Sequence, residues 1–358
     1  MLPEKSFRSC EEHMLKLLTK CRKTVPADYT RLCIAPLGRT RSSLAYFEFG
    51  DPNGRALLCL HGLGVSGLFF AQYHDYFVAI GVRAIAPCLL GGIYVPDSAK
   101  TIENMVSELV ELLDVLDVET FDVMGFSWGT LPELALMVRV PKRIGRAGFW
   151  GAMTPLAFLE NRCVDQLKDD VRLTLKMVKR APFMHRGLMA LFCRLPISAL
   201  LNQFKDEHLS IEEQEALAPG NPFRDEFARC LTECLRTGSR FFTDGWRMFL
   251  DRPGYALRDL GSATADIDVR LYFAERDNVH LRRFAELIVA GCIGVEVDTL
   301  GSKISQVQSE VLGPRTGVFD RIYTYEQCRM LMVQGAGRLA CMLYFKDALH
   351  DLLRSDPG

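Results

Sequence analysis

The chain has 358 residues, of which 49% are hydrophobic and 24% are charged, and its formal net charge is −1. This length and composition predict a globular protein, either one large domain or a core with an inserted subdomain. The balanced charge argues against a general affinity for nucleic acid, and no apolar run is long enough to span a bilayer.

Cysteine and histidine usage gives no sign of a metal site. The twelve cysteines are scattered without a Cys-x-x-Cys pair, and the seven histidines are dispersed. We therefore expect a reducing, cytoplasmic compartment and no structural metal. No glycine-rich phosphate loop with a basic partner is present, so we also expect no cofactor. Residues 1–30 mix charged and apolar positions, which predicts a helical extension rather than a signal peptide.

Short apolar segments then alternate with segments of helical periodicity. Strands are predicted at residues 31–36, 43–49, 56–60, 82–86, 121–124, 148–150, 269–274 and 329–333. Helices are predicted at residues 68–80, 98–116 (with Ser98 as the cap), 130–140, 281–290 and 339–353. This alternation indicates an α/β protein with a mostly parallel, doubly wound sheet. A long stretch at 294–323 is predicted to be irregular.

Residues 155–262 interrupt the alternation with helices alone, which predicts a helical cap or lid inserted into a core formed by 31–154 and 263–358. Within this cap, residues 171–205 contain no acidic residue and seven basic ones among apolar side chains. Such a surface can lie on an anionic membrane or cover a lipid-like substrate. Alternatively, its apolar face packs on the core and its basic face is solvated.

One pentapeptide carries the strongest chemical signal. Gly125-Phe126-Ser127-Trp128-Gly129 lies between a predicted strand and a predicted helix, which is the pattern of a nucleophile elbow. The glycines permit a sharp turn that holds the serine out at the carboxyl end of the strand. A serine nucleophile also needs a base within hydrogen-bond reach and donors for the developing oxyanion.

Other segments in the same order make the sequence resemble the α/β-hydrolase superfamily. They are His61-Gly62 after a strand, Asp277 after a strand, and Gly335-Ala336-Gly337 after the last strand. The resemblance covers residues 31–154 and 263–353 and implies the α/β-hydrolase fold. It implies these roles: Ser127 as nucleophile, Asp277 as the acid of the triad, and the backbone N–H groups of Leu63 and Trp128 as the oxyanion hole.

The sequence departs from this superfamily at the base, because Arg338 occupies the position where the histidine is expected. An arginine keeps its proton and cannot accept one from Ser127, although it could pair with Asp277. His280, three residues after Asp277, is an alternative base on a loop that should face the pocket. The remaining candidates are weaker: His61 as a turn residue, His350 as too distant, and His185 and His208 as cap residues.

Two functions from different classes follow. The first is a serine hydrolase of esterase or lipase type with an incomplete or rearranged triad, acting on a small apolar ester or lipid-like acyl substrate. The second is a non-catalytic relative that binds an apolar ligand, a partner or a membrane surface through the basic cap 171–205. A non-hydrolytic reaction on the same scaffold is a third possibility. Loss of a triad member typically lowers turnover by about 10⁴.

Overall fold

The computed structural model describes residues 31–90, 101–159, 164–205, 208–235, 238–303, 306–308 and 318–353. The predicted helical extension at 1–30 therefore lies outside the described residues, as does the predicted helix cap Ser98. The observed cap is Thr101, whose Oγ1 accepts a hydrogen bond from the Asn104 N–H at 3.1 Å.

The described residues form one sheet of ten strands. They are β1 Leu32–Leu37, β2 Ser42–Gly50, β3 Arg55–Leu60, β4 Val82–Pro87, β5 Phe121–Phe126, β6 Ile144–Trp150, β7 Asp268–Ala274, β8 Gln306–Gln308, β9 Arg321–Tyr325 and β10 Cys328–Val333. Their order across the sheet is β1-β2-β4-β3-β5-β6-β7-β10-β9-β8. The strands from β4 to β10 in this order run parallel, and antiparallel strands close both edges. This confirms the predicted doubly wound α/β sheet.

Helices separate and follow these strands. The α-helices are α1 His74–Ala79, α2 Ile102–Val115, α3 Thr130–Arg139, α4 Asp169–Arg180, α5 Pro182–Phe192, α6 Ile197–Asn202, α7 Ile211–Ala216, α8 Pro222–Cys234, α9 Arg240–Leu250, α10 Asp259–Ala263, α11 Arg282–Cys292, α12 Ala340–Leu343 and α13 Phe345–Leu353. Single 3₁₀ segments occupy Gly67–Tyr73, Ser127–Gly129, Pro141–Arg143, Leu156–Phe158 and Val297–Lys303. The predicted helix at 68–80 is thus a 3₁₀ segment followed by α1.

The prediction of an irregular stretch at 294–323 is wrong in part, because this stretch contains β8 and the start of β9. β8 has only three residues, and a strand this short cannot show an alternation of apolar and polar residues in the sequence. β9 lies between β10 and the short edge strand β8, and its exposed, half-buried and buried residues alternate, so it lacks the apolar run of a central strand.

Two apolar cores lie on the two faces of the sheet. One packs α2, α3 and α11 against the strands, and the other packs the Gly67–Tyr73 segment, α1 and α13. The second core holds an aromatic cluster around Phe126, whose ring centroid lies 4.9 Å from that of Phe69 and 5.7 Å from that of Phe345. Ring packing of this kind fixes the end of β5, from which the elbow projects.

Between β6 and β7, the described residues form α4 to α10 and no strand. Pro182 begins α5 and Pro196 precedes α6, so the prolines divide the basic segment into short helices. The division into a core and a cap at 155–262 remains an interpretation. Within the described ranges, no helix has the length and apolarity needed to cross a membrane.

Candidate active site

Ser127 lies directly after β5, between the two neighbouring strands β3 and β6 at the middle of the sheet. Its φ is 53°, a backbone conformation that a residue with a side chain rarely adopts. Both elbow glycines lie where a side chain would clash with neighbouring atoms. A Cβ on Gly125 would lie 2.3 Å from Glu133 Oε2, and one on Gly129 would lie 2.3 Å from Leu60 O. The turn therefore has the strained geometry of a nucleophile elbow.

A chain of hydrogen bonds joins three of the predicted site residues. Ser127 Oγ lies 2.8 Å from His280 Nε2. His280 Nδ1 lies 2.7 Å from Asp277 Oδ2. The side chains of His280 and Asp277 are 7% and 3% exposed, so water competes little for these bonds. The structure thus brings Ser127, His280 and Asp277 together in the order that a nucleophile, a base and an orienting acid require.

The loop after β7 carries both Asp277 and His280. Asp277 Oδ1 accepts hydrogen bonds at 2.9 Å from the backbone N–H groups of Val279 and His280, which tightens the loop into a turn. Its other oxygen, Oδ2, accepts from Nδ1–H of His280. Nε2 is then unprotonated and can accept the Ser127 proton. A Cβ on Gly151 would lie 3.2 Å from His280 Cγ, so a side chain there would press on the imidazole and push it by a few tenths of an ångström.

The two predicted oxyanion donors border the same space. Leu63 and Trp128 both line the cavity that contains Ser127. Gly62 packs closely against the elbow, since a Cβ on Gly62 would lie 3.0 Å from Ser127 Cβ. Trp128 is the second residue of a 3₁₀ turn, where a backbone N–H has no acceptor within the helix. Its indole Nε1–H donates to Gly245 O at 2.9 Å, which ties the elbow to α9.

Arg338 does not form the ion pair with Asp277 that the sequence suggested. Its Nη2 donates to Gln203 O at 2.9 Å, and its Cζ lies 5.4 Å from the centroid of the Phe204 ring. The carboxylate of Asp277 is already bonded to the His280 loop. The non-catalytic hypothesis rested on the absence of a base at position 338, and the Ser127–His280 contact removes that reason.

A carboxylate from the helices between β6 and β7 holds the loop that carries Arg338. Glu213 Oε2 accepts from Gly337 N–H at 2.6 Å and from Ser210 N–H at 2.8 Å, and Oε1 accepts from Leu339 N–H at 2.8 Å. Glu213 is fully buried. Sequence reasoning missed this contact. The spacing of Ser210 and Glu213 predicts a helix N-terminus, which the structure has, but it does not predict the partner loop.

The other histidines have separate partners. His61 is fully buried, and Nδ1–H donates to Gly62 O at 2.9 Å while Nε2 accepts from Leu89 N–H at 3.1 Å. Burial lowers its pKa to about 4. His350 Nδ1 lies 3.0 Å from Tyr76 Oη, and His185 Nδ1 lies 2.8 Å from Thr243 Oγ1. Among the described histidines, His280 is the one bonded to Ser127.

Ser127 and His280 open into a cavity of about 410 Å³. Its walls are mainly apolar and include Leu63, Phe192, Phe204, Phe242, Trp246 and Met342. This volume and lining suit a small apolar ligand. In the part of the chain that the structure describes, no three His, Cys, Asp or Glu side chains converge as metal ligands would.

The sequence matches no protein-family model and no curated protein. Solved structures do resemble the chain. A carboxylesterase of the thaumarchaeon Nitrososphaera gargenis superposes with a TM-score of 0.58 at 14% identity, covering 90% of this chain and 96% of that chain. A bromoperoxidase from Bacillus anthracis gives 0.58 at 15% identity, with 90% and 100% covered.

A mutant epoxide hydrolase from Vigna radiata gives a TM-score of 0.57 at 16% identity, covering 90% of this chain and 98% of that chain. The neighbours are named for several different activities, so this likeness concerns the backbone and leaves the reaction to be argued from the site. Together with the sheet order and the elbow, it establishes that the chain adopts the α/β-hydrolase fold.

Proposed function

We propose that this protein is a serine hydrolase that cleaves carboxylic esters with apolar acyl groups. The observation that carries the proposal is the pair of contacts Ser127 Oγ–His280 Nε2, 2.8 Å, and His280 Nδ1–Asp277 Oδ2, 2.7 Å. A serine held in this way has a base for its proton, and the base has an acid that fixes its tautomer and stabilises the imidazolium.

The reaction proceeds in two halves. Ser127 Oγ attacks the ester carbonyl carbon while His280 Nε2 takes the serine proton. The backbone N–H groups of Trp128 and Leu63 stabilise the oxyanion of the tetrahedral intermediate. His280 then gives its proton to the departing alkoxide, which leaves as an alcohol. Water, deprotonated by His280, hydrolyses the acyl-enzyme and restores Ser127.

The cavity favours a substrate with an apolar acyl group, which would bind inside it. Its walls are mainly apolar, and its volume of about 410 Å³ is of the size that encloses a small ligand. The carboxylesterase among the neighbours is compatible with this choice. The elbow cannot supply a carboxylate as the nucleophile, because position 127 is a serine.

The experiment is a chain-length series of 4-nitrophenyl esters, with release of 4-nitrophenolate measured for the native protein and for Ser127→Ala. We expect turnover of the native protein to favour acyl chains that fill the cavity, and Ser127→Ala to lose about 10⁴ in kcat. Equal turnover by the two proteins would contradict the proposal.

The outer face of α4 and α5 supports a further part of this function, contact with a membrane that contains the substrate. Six large apolar side chains are 44% to 73% exposed there: Leu173, Phe183, Met184, Leu188, Leu191 and Leu195. Four exposed cations lie on the same stretch and form no ion pair among the described residues: Lys176, Lys179, Arg180 and Arg194. Such a surface suits an anionic lipid interface. The inner face of α5 lines the cavity through His185 and Met189.

Cosedimentation with vesicles tests this contact. We expect the native protein to bind vesicles that contain phosphatidylserine, and Phe183→Asp to bind them at least tenfold more weakly. Val78→Asp is the matched control, because Val78 is 48% exposed on α1, outside this face. Equal loss in the two variants, or no binding by the native protein, would contradict membrane contact.

A further inference from the structure

The cavity contains a cation that the proposed hydrolysis does not use. Arg338 lines the same cavity as Ser127 and His280. Its Nη2 donates one hydrogen bond, to Gln203 O at 2.9 Å, and its Nε is buried without a hydrogen-bond partner. A guanidinium has five N–H donors in a planar fork. Most of the donors are therefore not used by the described protein groups.

The charge of Arg338 has no counter-ion in the described ranges. Glu213, beside it, is occupied by three backbone N–H groups on the Ser210 and Gly337–Leu339 segments. Asp277 is bonded to His280. Each of these two carboxylates accepts three hydrogen bonds from its own loop or helix, and neither forms an ion pair with Arg338.

A third carboxylate borders the cavity but faces water. Asp170 lines the cavity, yet its side chain is 64% exposed and its Oδ2 lies 3.6 Å from Lys168 Nζ. An exposed carboxylate with its own cation interacts weakly with a more distant group. Among the residues that the structure describes, the cavity wall thus has one cation without a carboxylate partner, Arg338.

The backbone that carries Arg338 is held on both sides. Glu213 binds the N–H of Gly337 and of Leu339, the two neighbours of Arg338. Gly337 is also packed so closely that a Cβ there would lie 2.6 Å from His208 O. A group presented from such a fixed segment loses little freedom on binding a ligand.

A cation beside apolar walls is stabilised strongly by an anion that reaches it, because desolvation weakens its contact with water. The planar fork of arginine matches the two oxygens of a carboxylate. We propose that Arg338 binds a carboxylate of the substrate, so that the preferred ester carries a second, ionised acid group. This inference rests on the proposed ester hydrolysis and adds the class of substrate.

Two esters of equal chain length test the inference: 4-nitrophenyl pentanoate, which is neutral, and 4-nitrophenyl hemiglutarate, which ends in a carboxylate. The ratio of their kcat/KM values is measured for the native protein, Arg338→Met and Arg338→Lys. We expect Arg338→Met to lower the ratio of charged to neutral ester by about tenfold or more, and Arg338→Lys to lower it less. Arg258→Met, which removes an exposed cation on α10's N-terminal side, should leave the ratio unchanged.

An unchanged ratio in Arg338→Met overturns the inference while leaving ester hydrolysis in place. A binding measurement covers the case in which neither ester is hydrolysed. Octanoate and octanol are titrated into Ser127→Ala by calorimetry, with and without Arg338→Met. We expect the Kd of octanoate to rise about tenfold with Arg338→Met and that of octanol to stay constant. Equal effects on the two ligands, or no preference for octanoate at the start, contradict the inference independently of catalysis.

Discussion

Asp277 Oδ2 and His280 Nδ1 lie 2.7 Å apart on one loop, three positions from each other in the chain. Their relative position is therefore set by a local turn, which two backbone N–H bonds to Asp277 Oδ1 stabilise. Asp277 and His280 reach Ser127 as one unit at the end of β7. In the proposed hydrolysis the loop after β10 takes no part in proton transfer, which leaves Arg338 for another role.

Replacing the base gives the first prediction. His280→Gln should lower kcat for a neutral ester by about 10⁴, because no other described histidine is bonded to Ser127. His350→Gln is the control, since that ring bonds to Tyr76 and should not affect turnover. Adding Arg338→His to His280→Gln should not restore activity. Recovery in the double variant would show that position 338 supplies a base after all.

The acid gives a second prediction. Asp277→Asn should lower kcat by about 10³ to 10⁴, because an amide can donate to Nδ1 and hold the imidazole in the wrong tautomer. KM for the neutral ester should change little, since Asp277 contacts His280 and not the apolar cavity. Steady-state kinetics measure kcat and KM of the native protein and the variant, and their melting temperatures show that both are folded. Turnover close to native would exclude Asp277 from the mechanism.

Alanine at Gly151 and at Gly294 separates the effect of the imidazole position from the effect of backbone strain. Gly151 and Gly294 have φ values of 57° and 69°, so alanine at either should destabilise the fold by about 1 kcal/mol. Only Gly151→Ala places a Cβ 3.2 Å from His280 Cγ, whereas Gly294 faces open space. We therefore expect Gly151→Ala to lower kcat by roughly tenfold to a hundredfold and Gly294→Ala to leave it unchanged. Equal kcat values in the two variants would mean that the ring tolerates the added methyl group.

Buried His61 predicts loss of stability in acid. Burial lowers its pKa from 6.5 to about 4, so between these values the unfolded chain binds a proton that the folded protein excludes. Its contribution is full above about pH 6.5 and declines as the pH falls toward 4. The native free energy of unfolding should drop about 2 kcal/mol more than that of His61→Gln between pH 7.5 and 5.

Denaturant titrations at the two pH values measure this difference. Other groups oppose the effect. Burial raises the pKa of Glu226 to about 6, which favours the folded state as the pH falls. Glu226 is present in both proteins, so its contribution cancels when the two are compared. Parallel pH profiles for the native protein and His61→Gln would refute the assignment of the acid sensitivity to His61.

The sequence predicts the elements of the sheet because their signals are local. Gly125 to Gly129 combines the end of an apolar strand with two glycines at the turn, and the structure has the elbow at that place. The parallel direction of the central strands follows from their alternation with helices. The last two strands at this side of the sheet, β9 and β8, were missed, because their residues lack the continuous apolar run of a buried strand.

The base and the Arg338 loop could not be predicted in the same way. Whether His280 points toward Ser127 depends on the turn that Asp277 forms, and its sequence position alone gives no direction. Glu213 binds Gly337 and Leu339, which are 124 and 126 positions further along the chain. A contact between residues so far apart in the chain leaves no local pattern in the sequence. The sequence therefore could not show how the loop that carries Arg338 is held.

Labelling of Ser127 tests the central claim most directly. The native protein, Ser127→Ala and His280→Gln are each treated with a fluorophosphonate, and the modified peptide is identified by mass spectrometry. We expect the native protein to be labelled at Ser127, Ser127→Ala not to be labelled, and His280→Gln to react at least a hundredfold more slowly. A native protein that stays unlabelled, or that is labelled as fast without His280, would contradict a Ser127–His280–Asp277 triad.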